Sequence, residues 1–227
     1  MISDSRLVLL DLDGTMIDHF NVIYRCYTHA LSTLGIEVPP FERVRRTVGG
    51  SMEVTMRNFV GEERHAEAVR LFREHFAEIF LDDLVVLPGA LWLARELRGQ
   101  GRRLAVFTNK QGPGSRRICD HLGLTEVLDG VFGSTDTPHK KPEIAFTRHV
   151  LETLGAVPEE TCLIGDSPWD IEAARNAGFP CHTVTTGTHG RAELEEAGAD
   201  TVFANLYELG HQVFGLPLPA DAETTPA

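Results

Sequence analysis

The chain has 227 residues, 42% of them hydrophobic and 24% charged, an ordinary balance for a folded globular protein and enough to bury a sizeable core. Thirty-three acidic residues against twenty-one basic ones give a formal charge of -12, which repels nucleic acid and anionic membrane surfaces, so neither is expected as a partner. A small phosphorylated metabolite stays possible, because a local cation and one or two lysines can reverse that field inside a cleft. The four cysteines, Cys26, Cys119, Cys162 and Cys181, show no Cys-x-x-Cys spacing and read as reduced core residues. Residues 1–6 carry no leader pattern and no apolar run has spanning length, so the expected location is the cytosol, as a monomer or homodimer. None of the ten histidines forms a His-x-x-x-His pair on a plausible helix, which disfavours a histidine zinc site.

The first predicted element is a wholly apolar strand over residues 7–10, leading directly into Asp11-Leu12-Asp13-Gly14-Thr15. Side chains alternate along an extended chain, so Asp11 and Asp13 can face the same way, and Gly14 allows a tight turn behind them. Two like charges that close call for a cation. Asp11 is then a candidate nucleophile or metal ligand and Asp13 a candidate acid/base, although on these residues alone a strand followed by an acidic turn is the favoured reading. An EF-hand calcium loop fits poorly: its twelfth position requires Glu, and Val22 stands there.

Residues 18–84 contain no convincing strand but show helical periods over 22–34, 52–59 and 62–80. A crossover that long exceeds what one helix needs, so the segment is expected to be a helical insertion above the carboxyl ends of the strands. Further strands are expected at 104–107, 131–132, 161–164, 181–184 and 201–203, alternating with helices at 89–97, 115–122, 143–154 and 169–177. That alternation predicts a doubly wound, mostly parallel α/β sheet. The core is expected over 1–17 and 85–215, and residues 216–227, rich in Pro, Ala and Thr, as a loosely ordered tail.

Three later strand ends carry chemistry. Thr108-Asn109-Lys110 precedes a Gly112-Pro113-Gly114 turn expected to open a helix at Ser115, where a hydroxyl and free N–H groups can cradle phosphate oxygens. His139-Lys140-Lys141-Pro142 offers a lysine that can reach a phosphoryl group or sit solvated at the surface. In Gly165-Asp166-Ser167-Pro168-Trp169-Asp170, Asp166 can complete an oxygen-rich Mg²⁺ site with Asp11. Asp170 can act through water, hold Lys141, or simply favour the helix dipole.

Taken together and in this order, Asp-x-Asp-Gly-Thr, a strand-end Thr, Lys-Pro and Gly-Asp-x-x-x-Asp resemble the haloacid-dehalogenase-like (HAD) superfamily over residues 7–187. The runs at 107–110 and 164–178 are most similar to its phosphoglycolate-phosphatase-like branch, which carries a helical cap. The resemblance implies a Rossmann-like core and an Mg²⁺-dependent phosphatase acting on a small phosphate monoester. It implies Asp11 as nucleophile and Asp13 as acid/base. Asp11, the Asp13 carbonyl and Asp166 would hold the metal, and Thr108, the Asn109 amide and Lys141 would bind the transferring oxygens. Gly14, Thr15 and Asp170 would support them.

The resemblance disfavours a dehalogenase, since those relatives lack an acid at the position of Asp13. A sugar-phosphate mutase, a phosphonatase and a non-catalytic regulatory relative are the alternatives. The stretch Gly49-Gly50-Ser51-Met52 replaces the Gly-Val-Ser-Arg of similar mutases, with Arg45, Arg46 and Arg57 nearby. His19 stands where relatives commonly have Ser or Thr, and either Lys140 or Lys141 can face the site. His19 and Gly50, in or beside the insertion, are therefore the candidate specificity positions.

Overall fold

The structure, a computed structural model, describes residues 2–220 and 222. Strand β1 (Leu7–Leu10) is buried along its whole length, as a central parallel strand with both faces covered must be. After it come β2 (Ile17–Asp18), β3 (Val85–Val86), β4 (Arg103–Thr108), β5 (Gly130–Gly133), β6 (Thr161–Gly165), β7 (Cys181–Val184) and β8 (Thr201–Phe203). Six of these form one parallel sheet in the order β5-β4-β1-β6-β7-β8, the doubly wound α/β architecture expected from the alternating pattern. Strand order reverses at β1, so the crevice that opens beside its carboxyl end is the natural ligand site of such a sheet.

Alternation along β1 divides the core. Val8 and Leu10 join a cluster with Val106, Leu93 and Ile118 on one face, while Leu7 and Leu9 join Phe107, Phe146 and Leu163 on the other. Each such side chain contributes about 1.5–3 kcal/mol on burial.

Between β2 and β3 lie four helices: α1 (Phe20–Thr33), α2 (Phe41–Arg45), α3 (Met52–Val60) and α4 (Glu62–Ile79). They share an aromatic seam, in which the Tyr27 ring meets Phe72 at 5.0 Å and Phe59 at 5.8 Å between centroids. Ser51 starts α3 by accepting the Val54 amide, the usual role of a serine in that position. The helical reading of this segment corresponds to α1, α3 and α4. The exception is the β2–β3 ribbon, whose two-residue strands pair antiparallel, Asp18 with Val85, and are too short to show periodicity.

The remaining helices are α5 (Ala90–Gly99), α6 (Gly112–His121), α7 (Ile144–Leu154), α8 (Pro168–Ala177), α9 (Arg191–Glu196) and α10 (Leu206–Phe214). Helix α6 begins at Gly112 rather than at Ser115. Pro113 suits a first helical turn, and both glycines are needed for close packing: a Cβ on Gly112 would lie 2.2 Å from Asp136 Oδ1, and one on Gly114 2.8 Å from the Phe76 ring. Of the expected tail, Leu216 is buried and its amide donates to the Gly210 carbonyl; residues 221 and 223–227 lie outside the described residues. No helix among the described residues is long and apolar enough to cross a membrane.

Candidate active site

The turn after β1 is built by the Leu12 carbonyl, which accepts the amides of Thr15, Met16 and Ile17, with Gly14 at φ +86°. Such a φ favours glycine. Asp11 and Asp13 are thereby held at the carboxyl end of the sheet, 2% and 6% exposed.

The four strand-end motifs converge there. From the loop before α7, Lys141 places its Nζ 2.8 Å from Asp11 Oδ1 and 2.6 Å from Asp170 Oδ1. Asp170 lies in the first turn of α8, where its other oxygen accepts the Ser167 amide at 3.2 Å in a capping box. It therefore holds Lys141 and starts a helix at once. Asp166, at the end of β6, accepts from the Thr15 hydroxyl at 3.1 Å and from the Thr188 amide at 3.2 Å. Backbone walls surround it: a Cβ on Gly187 would lie 1.7 Å from Asp166 Oδ2, and one on Gly14 2.6 Å away.

Thr108, 2% exposed at the end of β4, accepts the Lys110 amide and lines a cavity of about 100 Å³ together with Asp11 and Asp13. The Asn109 side chain is committed elsewhere. Its Oδ1 accepts the Lys141 amide, while its Nδ2 donates to the carbonyls of Lys141 and of Gly49 in the insertion. It thus fixes Lys141 and ties the helices to the sheet. The two lysines separate clearly: Lys141 is 2% exposed among the carboxylates, and Lys140 turns to Ser51 and Glu53 at 3.0 and 3.5 Å.

Asp11, Asp166 and Asp170 can bring one oxygen each within 4.8 Å of one another. Burial raises the Asp11 carboxyl to about 6 despite Lys141, with Asp170 and Asp13 adding to the rise. Burial also holds Asp166 well above its ordinary value, reinforced by Asp11 and Asp170. Lys141 is disfavoured as an ammonium by burial, but Asp11 and Asp170 outweigh this and hold it above the usual lysine range. Three carboxylates against one ammonium leave two negative charges, and every donor is oxygen. That set fits a hard divalent cation such as Mg²⁺. The Asp13 carboxylate lies outside the cluster, so any contribution from Asp13 to a metal would come from its carbonyl.

Both Asp13 oxygens face Lys110 Nζ, at 2.9 and 3.0 Å. Linear spacing gave no sign of this partnership, because the two residues lie 97 positions apart. Lys110 Nζ also sits 4.9 Å from the centroid of Phe76, on α4. His19 is fully buried behind Asp13, its Nδ1 3.8 Å from Asp13 Oδ1, and neither ring nitrogen has a hydrogen-bond partner among the described residues. Burial, aided by the Lys110 ammonium, pushes it down to about 3, so it is neutral at pH 7. His19 is not part of the cavity wall. Gly50 is, with its back against Trp169, whose ring a Cβ would meet at 2.9 Å. The far wall carries Tyr27, Phe72 and Phe76, with Arg73 Nη2 2.6 Å from Glu53.

Known proteins resemble this chain in sequence and in fold. Phosphoglycolate phosphatase 1 of Pseudomonas aeruginosa is 31% identical over 231 residues, covering 96% of this chain and 84% of its own. A protein named tyrosine-protein kinase PtkA, from Mycobacterium tuberculosis, is 30% identical over 197 residues, covering 87% and 67% respectively. The crystal structure of a predicted phosphatase from Clostridium acetobutylicum superposes with a TM-score of 0.87 at 26% identity, covering 94% of this chain and all of that one. The family model described as haloacid dehalogenase-like hydrolase matches residues 8–184, from within β1 to the end of β7, and the chain belongs to that family.

Proposed function

We propose that the protein is an Mg²⁺-dependent phosphatase that hydrolyses a small phosphate monoester of the phosphoglycolate kind through an aspartyl-phosphate. The observation that carries this reading is the buried Asp11 carboxylate, 2.8 Å from Lys141 and clustered with Asp166 and Asp170 at the end of the central strand. Asp11 attacks phosphorus in line, and the ester oxygen departs with a proton from Asp13. Asp13 then takes a proton from the water that releases phosphate, so one difficult displacement becomes two easier ones. Lys141, the Thr108 hydroxyl and the backbone N–H of Asn109 meet the transferring oxygens. Magnesium, when bound by Asp11, the Asp13 carbonyl and Asp166, supplies neutralisation of the crowded anions.

Residues 18–84 act as a cap that excludes water, over a core formed by 1–17 and 85–215. Supporting this are the bonds that cross between them, from Asn109 to Gly49, Lys140 to Ser51 and Arg45 to Gly187. The four cysteines are buried and unpaired, in keeping with a cytosolic location. A mutase needs a second phosphate clamp. Arg45 and Arg46 instead donate to the carbonyls of Gly187 and Thr188, Arg57 pairs with Glu62, and none of the three lines the cavity.

The test is phosphate release from a panel of esters with and without Mg²⁺, together with Asp11→Asn, which is expected to abolish turnover. Release by that variant at the wild-type rate would sink the mechanism. Isomerisation of a sugar phosphate faster than phosphate release, or transfer from ATP to a tyrosyl peptide faster than to water, would replace hydrolysis as the activity.

A further inference from the structure

We propose that Lys110 is the specificity residue of this site and that it takes a carboxylate of the substrate in exchange for Asp13. The inference rests on the phosphatase reading and names its substrate class: esters in which a single carbon separates the leaving oxygen from a carboxylate.

Charges in the cavity wall are paired. Arg73 and Lys140 share Glu53, in contacts of 2.6 and 3.5 Å. Lys110 differs in that its partner, Asp13, is itself a working group: the Nζ spans both Asp13 oxygens, and the two side chains are 6% and 8% exposed. In that pose both carboxylate oxygens are taken up by Lys110, and Asp13 is not among the clustered carboxylates Asp11, Asp166 and Asp170. An acid that must reach a leaving oxygen beside Asp11 has to turn from the ammonium. Leaving Lys110 unpaired in a buried site would be costly, so a second anion has to replace Asp13 there.

The position of the ammonium fixes where that anion lies. Phosphorus stands beside Asp11 and the ester oxygen beside Asp13, so the atoms just beyond that oxygen are the ones next to Lys110. A carboxylate one carbon further falls within its reach. Phe76 of α4 bounds the ammonium on the far side, 4.9 Å away, so the exchange takes place under the helical insertion. Recognition and catalysis are thereby joined: a substrate whose carboxylate occupies Lys110 releases Asp13, and one with no anion besides its phosphate leaves Asp13 held.

The experiment compares 2-phosphoglycolate with 2-hydroxyethyl phosphate, a counterpart of similar size with a hydroxymethyl group in place of the carboxylate, in the wild type, Lys110→Met and Lys110→Arg, with Mg²⁺. Binding of phosphonoacetate and ethylphosphonate is measured alongside by calorimetry. The wild type is expected to favour the carboxylate ester in kcat/KM by roughly 10- to 100-fold, the range of a charge-assisted hydrogen bond. Lys110→Met should bring the ratio close to one and Lys110→Arg should keep part of it, with phosphonoacetate losing its advantage over ethylphosphonate in Lys110→Met alone. Equal use of both esters by the wild type, equal weakening of both by Lys110→Met, or hydrolysis of other esters but neither of these overturns the proposal and leaves the phosphatase intact. No release from any ester overturns the phosphatase reading, and the phosphonate affinities then still decide whether Lys110 receives a carboxylate.

Discussion

The Lys141 ammonium stands 2.6 Å from the Asp170 carboxylate, and neither side chain is more than 1% exposed. A pair buried to that degree is stable only while both members are present. Lys141→Met, which leaves Asp11 and Asp170 uncompensated, is expected to cost about 3–5 kcal/mol in metal-free protein by urea unfolding. Asp170→Asn keeps the shape and the cap of α8 while releasing Lys141 on one side. Lys141 keeps Asp11 as a partner, so the variant should still fold, with a smaller loss of stability than Lys141→Met, and lower kcat by about 10- to 100-fold, the usual effect of removing a residue that orients a working group. An unchanged kcat would show that Asp170 serves the helix alone.

Asp166 presents the opposite balance. Burial and the nearby Asp11 and Asp170 raise its carboxyl, so its charge opposes folding when no metal is bound. Asp166→Asn is expected to unfold at higher temperature than metal-free wild type, by roughly 2–4 °C for each kcal/mol relieved. In the wild type, Mg²⁺ at about 100 times its Kd should add about 2.7 kcal/mol, and the variant should show no such response. A full Mg²⁺ response in Asp166→Asn would remove Asp166 from the metal site.

Asp11 and Asp166 were legible in the sequence because each closes an apolar strand, and a doubly wound sheet brings the carboxyl ends of its parallel strands to one side. Asp11, Thr108, Lys141 and Asp166 accordingly meet. The partners that surround these groups were not legible, since they depend on contacts with no period in the chain. Lys110 reaches Asp13 from another strand end, Phe76 arrives from the insertion, and Gly187 closes on Asp166 from the loop after β7. Helices α2 and α9, of five and six residues, are too short to repeat an apolar spacing. The choice between Lys140 and Lys141 likewise needed three dimensions, because Asn109 holds the backbone of Lys141 and so decides which lysine points inward.

Gly187 supplies a test of that closure. A Cβ there would lie 1.7 Å from Asp166 Oδ2, and neither carboxylate nor backbone has room to yield without moving Asp166. Gly187→Ala is therefore expected to retain its fold but lose most of its thermal response to Mg²⁺ and most of its phosphate release. Gly190→Ala, three residues along the same loop, would meet nothing closer than the tip of Glu193 at 3.7 Å and should behave as wild type. Equal behaviour of the two variants would show that the glycine wall does not position Asp166.

His19 should give the fold a pH dependence of its own. Its folded value is pushed from 6.5 down to about 3 by burial first and the Lys110 ammonium second. Between those limits the unfolded chain binds a proton that the folded chain refuses, so stability contributed by neutral His19 is complete above pH 6.5 and is lost as the pH falls toward 3. Asp11, raised to about 6, works in the other direction, its contribution being present at low pH and lost as the pH rises through that value. Comparing metal-free wild type with His19→Leu cancels the Asp11 effect, which both proteins share. The gap between them, measured by urea unfolding, should be constant above pH 7 and should move by about 2 kcal/mol in favour of the variant on going to about pH 5. A gap that stays the same across that range would mean that His19 accepts a proton in the folded protein, and that its pocket against Asp13 opens to water.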